Sequence, residues 1–284
     1  MSKEKKLTQE QIRKMQLLEL EMMSEVDRVC RENNINDVIY GGTLLGAVRH
    51  KGFIPWDDDM DVAMLREDYE KFKKHIDELD PSICFFQDHD TDSEYIWGYA
   101  KIRRTGTKYI RAGQEHLKYK NGVFIDIEPM DDVPNSLVLQ ILMDIDLFLL
   151  RKILWSRVGK VNEKGILKII YILLSVIPVE YVFKRYKSYS KKSSNSSRNK
   201  IRILSLPSLG KCYVKTNPFR EKYSWSKKWI LERKEYEFEG HKFFGPVDAD
   251  SFLKYEYNDY MKLPPVEKRK PEVLVSDFDL GIGE

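Results

Sequence analysis

The segment Asp57-Asp58-Asp59-Met60-Asp61 sets four carboxylates in five positions and runs directly into Val62-Ala63-Met64. It constrains the fold more than any other stretch, because an ionised carboxylate inside an apolar strand is expensive unless something pairs with it. An extended backbone over 59–64 reconciles the two demands. Side chains then alternate, so Met60, Val62 and Met64 pack inward while Asp59, Asp61 and Ala63 point the other way, and two carboxylates converge. The run over 123–127 repeats the device: Val123, Ile125 and Ile127 share one face, leaving Asp126 on the opposite face beside Phe124. Carboxylates held within about 4 Å repel by roughly 4 kcal/mol per pair at an effective dielectric near 20, which raises their pKa values unless a cation neutralises them. An all-oxygen cluster suits Mg²⁺ or Mn²⁺, whereas zinc calls for a His or Cys cluster. The competing reading is an acidic turn that caps a helix or stays in solvent; it leaves the place of Asp61 inside an apolar run unexplained.

Gly41-Gly42-Thr43 lies directly after a short apolar strand, 38–40, and before a helix over 44–50. Glycines let a backbone approach phosphate closely, and the amides of a helix N-terminus favour anions. A plain tight turn is the alternative. A Gly-Gly pair, an acidic strand about seventeen residues later and then a third carboxylate on another strand resemble the nucleotidyltransferase-fold arrangement. The likeness sharpens over 40–62, where Tyr40-Gly41-Gly42-Thr43-Leu44-Leu45-Gly46-Ala47-Val48-Arg49-His50-Lys51-Gly52-Phe53-Ile54-Pro55-Trp56 leads into the acidic run. That stretch is similar to the LicD family signature almost residue for residue. Gly122-Val123-Phe124-Ile125-Asp126-Ile127 with Pro129, and Asp259-Tyr260-Met261-Lys262-Leu263-Pro264-Pro265, resemble the family's other landmarks. The resemblance extends from about residue 16 to 269 around a divergent middle. Two positions depart from the pattern: Glu128 stands where an aromatic or apolar residue is expected, and Asn258 replaces a common Gly, a milder change because Asn also tolerates a left-handed backbone.

The resemblance implies a nucleotidyltransferase-type mixed sheet and metal-dependent transfer of phosphocholine, or in related branches a phospho-polyol, from a CDP-linked donor to a glycan hydroxyl with release of CMP. It makes Asp59, Asp61 and Asp126 the carboxylate triad and the metal ligands, with Asp126 also able to take the acceptor proton. Gly41, Gly42 and Thr43 would contact donor phosphates, and Arg49 and Lys101 would neutralise charge, surface salt bridges being the other reading for these two. Choline has no hydrogen-bond donor on its quaternary nitrogen, so its recognition calls for aromatic faces; Trp97 and Tyr99 are the candidates, against ordinary core packing. The expected partners are CDP-choline and a glycan or lipid-linked oligosaccharide of teichoic acid or lipopolysaccharide type. The nearest rival is a true nucleotidyltransferase, in which attack falls on the α-phosphate, because the acidic strand does not say which phosphorus is attacked.

Elsewhere, residues 7–32 form an amphipathic helix with Ile12, Met15, Leu18, Met22, Val26 and Val29 on its apolar stripe and Thr8 as N-cap. A helix over 67–79, strands over 83–87 and 95–103, a hairpin over 235–244 and a helix over 251–257 follow. Helices alternating with short strands argue for an α+β, α/β-like core. The interval 136–202 reads as a helical insertion between a catalytic core, 1–135, and a C-terminal part, 203–284, that completes the catalytic domain. Its apolar stretches, 137–150 and 166–179, are interrupted or fall short of the roughly 17–25 residues of a spanning helix. Residues 184–202 then carry eight Lys and Arg with no Asp or Glu. A peripheral contact with an anionic membrane and a buried helical hairpin followed by a solvated loop both fit this pattern. With 48 Lys and Arg against 45 Asp and Glu, the net +3 gives no bulk-charge case for nucleic-acid binding. A non-catalytic lipid- or nucleic-acid-binding module using the basic stretch is the reading from a different class. The charged start followed by Thr8-Gln9-Glu10-Gln11 does not read as a signal peptide, and Cys30, Cys84 and Cys212 lack metal or disulfide-framework spacing. A cytoplasmic protein, with any membrane contact on the inner face, is the expectation.

Overall fold

The computed structural model describes residues 4–134, 136–193, 199–206, 224–271 and 273–281. Thr8 starts helix α1 (Gln9–Glu32) with both halves of a capping box, its hydroxyl accepting from the Gln11 N–H and its own N–H donating to the Gln11 side chain. The expected stripe of α1 is buried, and the helix packs on β4 (Ala100–Arg104) and β6 (Phe124–Asp132). These belong to a central sheet in the order β1-β2-β6-β4-β3, with β1 (Asp37–Ile39), β2 (Asp61–Leu65) and β3 (Cys84–Gln87). β2 and β6 run parallel and the other neighbours antiparallel, so with helices α2 (Gly41–His50) and α3 (Arg66–Phe72) flanking it the fold is α+β, as the alternation of elements predicts. β5 (Lys108–Arg111) lies outside this sheet and pairs with β11 (Val275–Asp279).

After β6 the chain leaves the sheet for helices α4 (Leu137–Asn162), α5 (Gly165–Leu174) and α6 (Val179–Ser193). It returns as β7 (Lys200–Ile203), paired with the second half of β6, and β8 (Trp225–Ser226) pairs with β7. The helix α7 (Lys228–Leu231), the expected hairpin of β9 (Arg233–Phe238) and β10 (His241–Pro246), and α8 (Ala249–Tyr257) follow before β11. Two apolar clusters hold the described residues together. The larger joins α1, the central sheet, β9, β10 and α8; the smaller is built by α4 and α6 around Leu147, Leu150, Leu154 and Val182, reaching the sheet side through Ile96 and Leu204. The basic stretch is divided between elements: Arg185 pairs with Asp146, Lys187 with Asp90, and Arg202 lies inside the sheet layer in a buried pair with Asp144. Arg198 and Cys212 lie outside the described residues, whereas Cys30 and Cys84 are buried free thiols.

Several boundaries differ from the sequence expectation. The helix expected over 67–79 stops at Phe72, because Arg28 takes the Glu78 carbonyl at 2.7 Å and Glu25 takes the Asp80 N–H at 2.7 Å, holding the chain against α1. The strand expected over 95–103 begins only at Ala100: β3 ends at Gln87, opposite Lys101, so the preceding residues have no partner on that edge. The strand expected over 123–127 continues to Asp132, because β2 flanks it on one side and β4 and then β7 on the other.

Candidate active site

The parallel pairing of β2 with β6 sets Asp61 opposite Asp126. Asp59 reaches the same point from the loop before β2 rather than from the strand itself, so the pleat invoked for Asp59 does not operate. What positions it is the loop's attachment to β6, where the Met60 carbonyl accepts the Asp126 N–H at 2.8 Å. One carboxylate oxygen from each of Asp59, Asp61 and Asp126 lies within 4.8 Å of the others, and Asp57, Asp58 and Asp59 form a second group of the same spread.

Helix α2 abuts this centre, and its first turn is already Gly41-Gly42-Thr43, three residues earlier than expected. Gly41 has φ +55°, where a side chain is strained, and a Cβ there would stand 3.4 Å from the Asp61 carboxylate. A Cβ on Gly42 would stand 2.8 Å from an Asp57 oxygen. The glycines therefore admit the protein's own carboxylates against the positive end of the helix. Thr43 is buried, and its hydroxyl accepts the Asp61 N–H at 2.8 Å, fixing the start of β2.

Lys101 lies opposite Asp126 on β4, and its ammonium bonds to Asp126 Oδ1. Burial pulls Lys101 down to about 7 against the opposing pull of Asp126. Burial first, then Asp58 and Asp126, push Asp59 up to about 6, and burial with neighbouring carboxylates pushes Asp57 and Asp61 well above the usual range. Glu19 of α1 is fully buried, both its carboxyl oxygens lack a hydrogen-bond partner among the described residues, and burial followed by Asp59, Asp58 and Asp57 drives it well up. Negative charge is thus in local excess in a desolvated, oxygen-only donor set, the chemistry that accommodates Mg²⁺ or Mn²⁺.

Arg49 does not face this cluster through a direct bond. Its guanidinium donates to the Tyr260 carbonyl at 2.7 Å and to the His50 ring at 2.9 Å, tying the motif over 40–62 to the C-terminal landmark. Trp97 and Tyr99, expected on a strand, sit in the loop before β4 and line a cavity of about 190 Å³ together with Lys101, Arg103, Arg111, Tyr119, Phe124 and Trp155. The Lys101 ammonium is 3.2 Å and the Arg111 guanidinium 5.2 Å from the Phe124 ring centroid, while Trp97 and Trp155 meet at 6.0 Å. A larger cavity, about 630 Å³, lies across the Trp97–Tyr99 loop between α3 and α6; none of the three converging carboxylates lines either cavity, and only the smaller one includes Lys101, the partner of Asp126.

Four contributors lay outside the sequence reading. Arg111 faces Asp126 and Asp59, and among the described residues no hydrogen bond or ion pair holds its guanidinium. Tyr109 reaches Asp58 at 3.5 Å, and Tyr257 of α8 would stand 3.7 Å from a Cβ on Gly41. Glu19 alone left a signal, as a charged residue on the apolar stripe between Met15 and Met22.

The LicD/FKTN/FKRP nucleotidyltransferase domain matches residues 34–144, a span holding Asp59, Asp61, Asp126, Lys101 and Arg111. The chain is 31% identical to the lipopolysaccharide cholinephosphotransferase LicD of Haemophilus influenzae over 290 residues, covering 97% of this chain and 100% of that protein. Shorter matches are with the uncharacterized proteins RP689 of Rickettsia prowazekii, 48% identical over 48 residues (17% of this chain and 18% of that one), and RT0683 of Rickettsia typhi, 44% over 54 residues (19% and 18%). A full-length match of that identity, on a chain whose fold gathers the carboxylates of the motif at one point, makes this protein a member of the LicD family.

Proposed function

We propose that this LicD-family transferase moves phosphocholine from CDP-choline to a sugar hydroxyl of a cell-surface glycan precursor, of lipopolysaccharide or teichoic acid type, and releases CMP. The observation that carries the reading is the lining of the 190 Å³ cavity, which combines buried cations with aromatic rings. Lys101, bonded to Asp126, and Arg111 bring cations to its wall, and Trp97, Tyr99, Phe124 and Trp155 bring aromatic faces, a lining that suits a phosphate joined to a quaternary ammonium. The volume is below the roughly 300–1,000 Å³ of drug-sized sites, so it suits the donor's head group rather than the whole donor. The relative from Haemophilus influenzae is named for cholinephosphate transfer on lipopolysaccharide, which agrees with the proposal.

Asp59, Asp61 and Asp126 would hold Mg²⁺ or Mn²⁺, which when bound supplies charge neutralisation for the donor diphosphate. Thr43 keeps Asp61 in register, and the first turn of α2 offers backbone amides toward donor phosphate. Lys101 and Arg111 orient the transferred phosphate. As the sugar oxygen bonds to the choline-bearing phosphorus, its proton passes to Asp126 at the oxygen that Lys101 does not hold, and the bond to the bridging oxygen breaks with its electron pair leaving on CMP. The full chain supplied with Mg²⁺ and a panel of CDP-alcohols should release CMP fastest from CDP-choline. Preference for a CDP-polyol would move the assignment to the related branch, and no release from any member of the panel with a glycan acceptor present would overturn it.

A further inference from the structure

The large apolar side chains that stay exposed are concentrated on α4, α5 and the turn after α5. Leu142, Ile145 and Leu149 make a stripe at helical spacing on α4, Ile166, Ile169 and Leu173 make another on α5, and Val176 just beyond is 78% exposed. The opposite side of α4 is already used, its Met143, Leu147, Leu150 and Leu154 being packed in the cluster with α6. α4 is therefore apolar on two sides, one of them uncovered among the described residues, and a stripe of this size marks a contact surface.

The charges identify the partner. Residues 137–174, which form α4 and α5, carry six Lys and Arg against three Asp and Glu, a net of +3. The two acids of α4 are turned inward, Asp144 to Arg202 and Asp146 to Arg185 and Tyr189. Lys164 and Lys168 are exposed beside the stripe on α5, with Lys152 and Lys160 half-buried at the edge of α4. Among the described residues no single helix is long and apolar enough to cross a membrane, and the axis bends by 73° between α5 and α6. α6 is also committed to the core through Val182 and Tyr186. We propose that the outer face of α4 and α5 lies on an anionic lipid surface, apolar stripes inserted at the headgroup boundary and the lysines over acidic headgroups. A second copy fits less well, because a two-fold contact would set the same lysines against each other. Trp155, on α4 and partly exposed, lines the 190 Å³ cavity, so the lipid-facing side adjoins the site.

Flotation of the full chain with phosphatidylcholine vesicles, with and without phosphatidylglycerol, tests this. Binding should require phosphatidylglycerol and weaken with salt. The pair Lys164→Gln and Lys168→Gln should lower partitioning about twenty- to thirtyfold, roughly fivefold per charge. Ile169→Glu with Leu173→Glu, at positions 58% and 67% exposed, should abolish binding while circular dichroism and thermal unfolding stay unchanged. Absence of binding to the anionic vesicles, or binding that the glutamates leave intact, overturns the proposal. So does a dimer in sedimentation that the glutamates convert to monomer, since a second copy would then cover the face.

Discussion

Glu128 offers a test of how the sheet treats charge. It lies two positions beyond Asp126 on β6, opposite Ala63 of β2, in the position where the family pattern is aromatic or apolar. It is 4% exposed, its Oε2 has no partner among the described residues, and burial alone pushes its carboxyl up to about 8. In the fold it is therefore neutral at pH 7, standing in for an uncharged residue, while in the unfolded chain it ionises near its ordinary value of 4.5. The folded state binds the proton more tightly, so this contribution is fully present below about pH 4.5 and is lost as pH rises through about 8, at about 1.4 kcal/mol per pH unit. By pH 7 the loss is about 3 kcal/mol. Glu128→Gln keeps the shape and cannot ionise. Its stability advantage over the parent should be small near pH 5, reach about 3 kcal/mol at pH 7, equivalent to roughly 6–12 °C in Tm for a chain of this size, and level off above pH 8. The assay is thermal unfolding followed by circular dichroism across pH 5 to 8, with divalent metal chelated so that the acidic centre behaves alike in both proteins. A pH-independent gap, or a glutamine variant less stable than the parent at pH 7, would refute the reasoning by showing Glu128 ionised and partnered in the fold.

Other substitutions probe the remaining parts of the account. Asp61→Asn should abolish transfer yet raise metal-free stability at neutral pH, because burial first and then Asp59, Asp126 and Asp57 disfavour an ionised carboxylate there and the amide carries no charge; a less stable variant with turnover intact contradicts the metal assignment. Arg202→Ala removes the cation that pairs with buried Asp144 and should lower stability by up to about 3–5 kcal/mol in denaturant unfolding, whereas a loss below about 1 kcal/mol would mean the pair is solvated. Trp97→Ala should erase the preference for CDP-choline over a CDP-alcohol with an uncharged head group in competition assays, and an unchanged preference removes Trp97 from choline recognition.

What the sequence makes readable is local. Thr8 and the stripe of α1 report a periodicity that a helix must obey once one face is buried, and that helix appears where expected, whereas β2 begins at Asp61 rather than Asp59 and buries Ala63 along with Val62 and Met64. Asp59, Asp61 and Asp126 come together as well, although Asp59 is brought in by the loop's bond to β6 and not by strand alternation. The extents of β4 and β6 depend on which strand lies alongside, a property of topology that no window of residues contains. Arg111 and Tyr257 approach the acidic centre from β5 and α8, far along the chain, and nothing in their immediate neighbours marks them. Asn258 has φ +58°, in keeping with the expectation that a residue tolerant of a left-handed backbone is needed there.

In the proposed reaction phosphocholine, and not the nucleotide, is the group moved, at a centre built on Asp59, Asp61 and Asp126. Phosphorus NMR of the products from the full chain, Mg²⁺, CDP-choline and a glycan acceptor reads this directly. The expected products are CMP and a phosphodiester joining choline to the sugar, with neither formed by the Asp59→Asn protein. A nucleotidylated acceptor with phosphocholine released, or the same products from the Asp59→Asn protein, would contradict the proposed reaction.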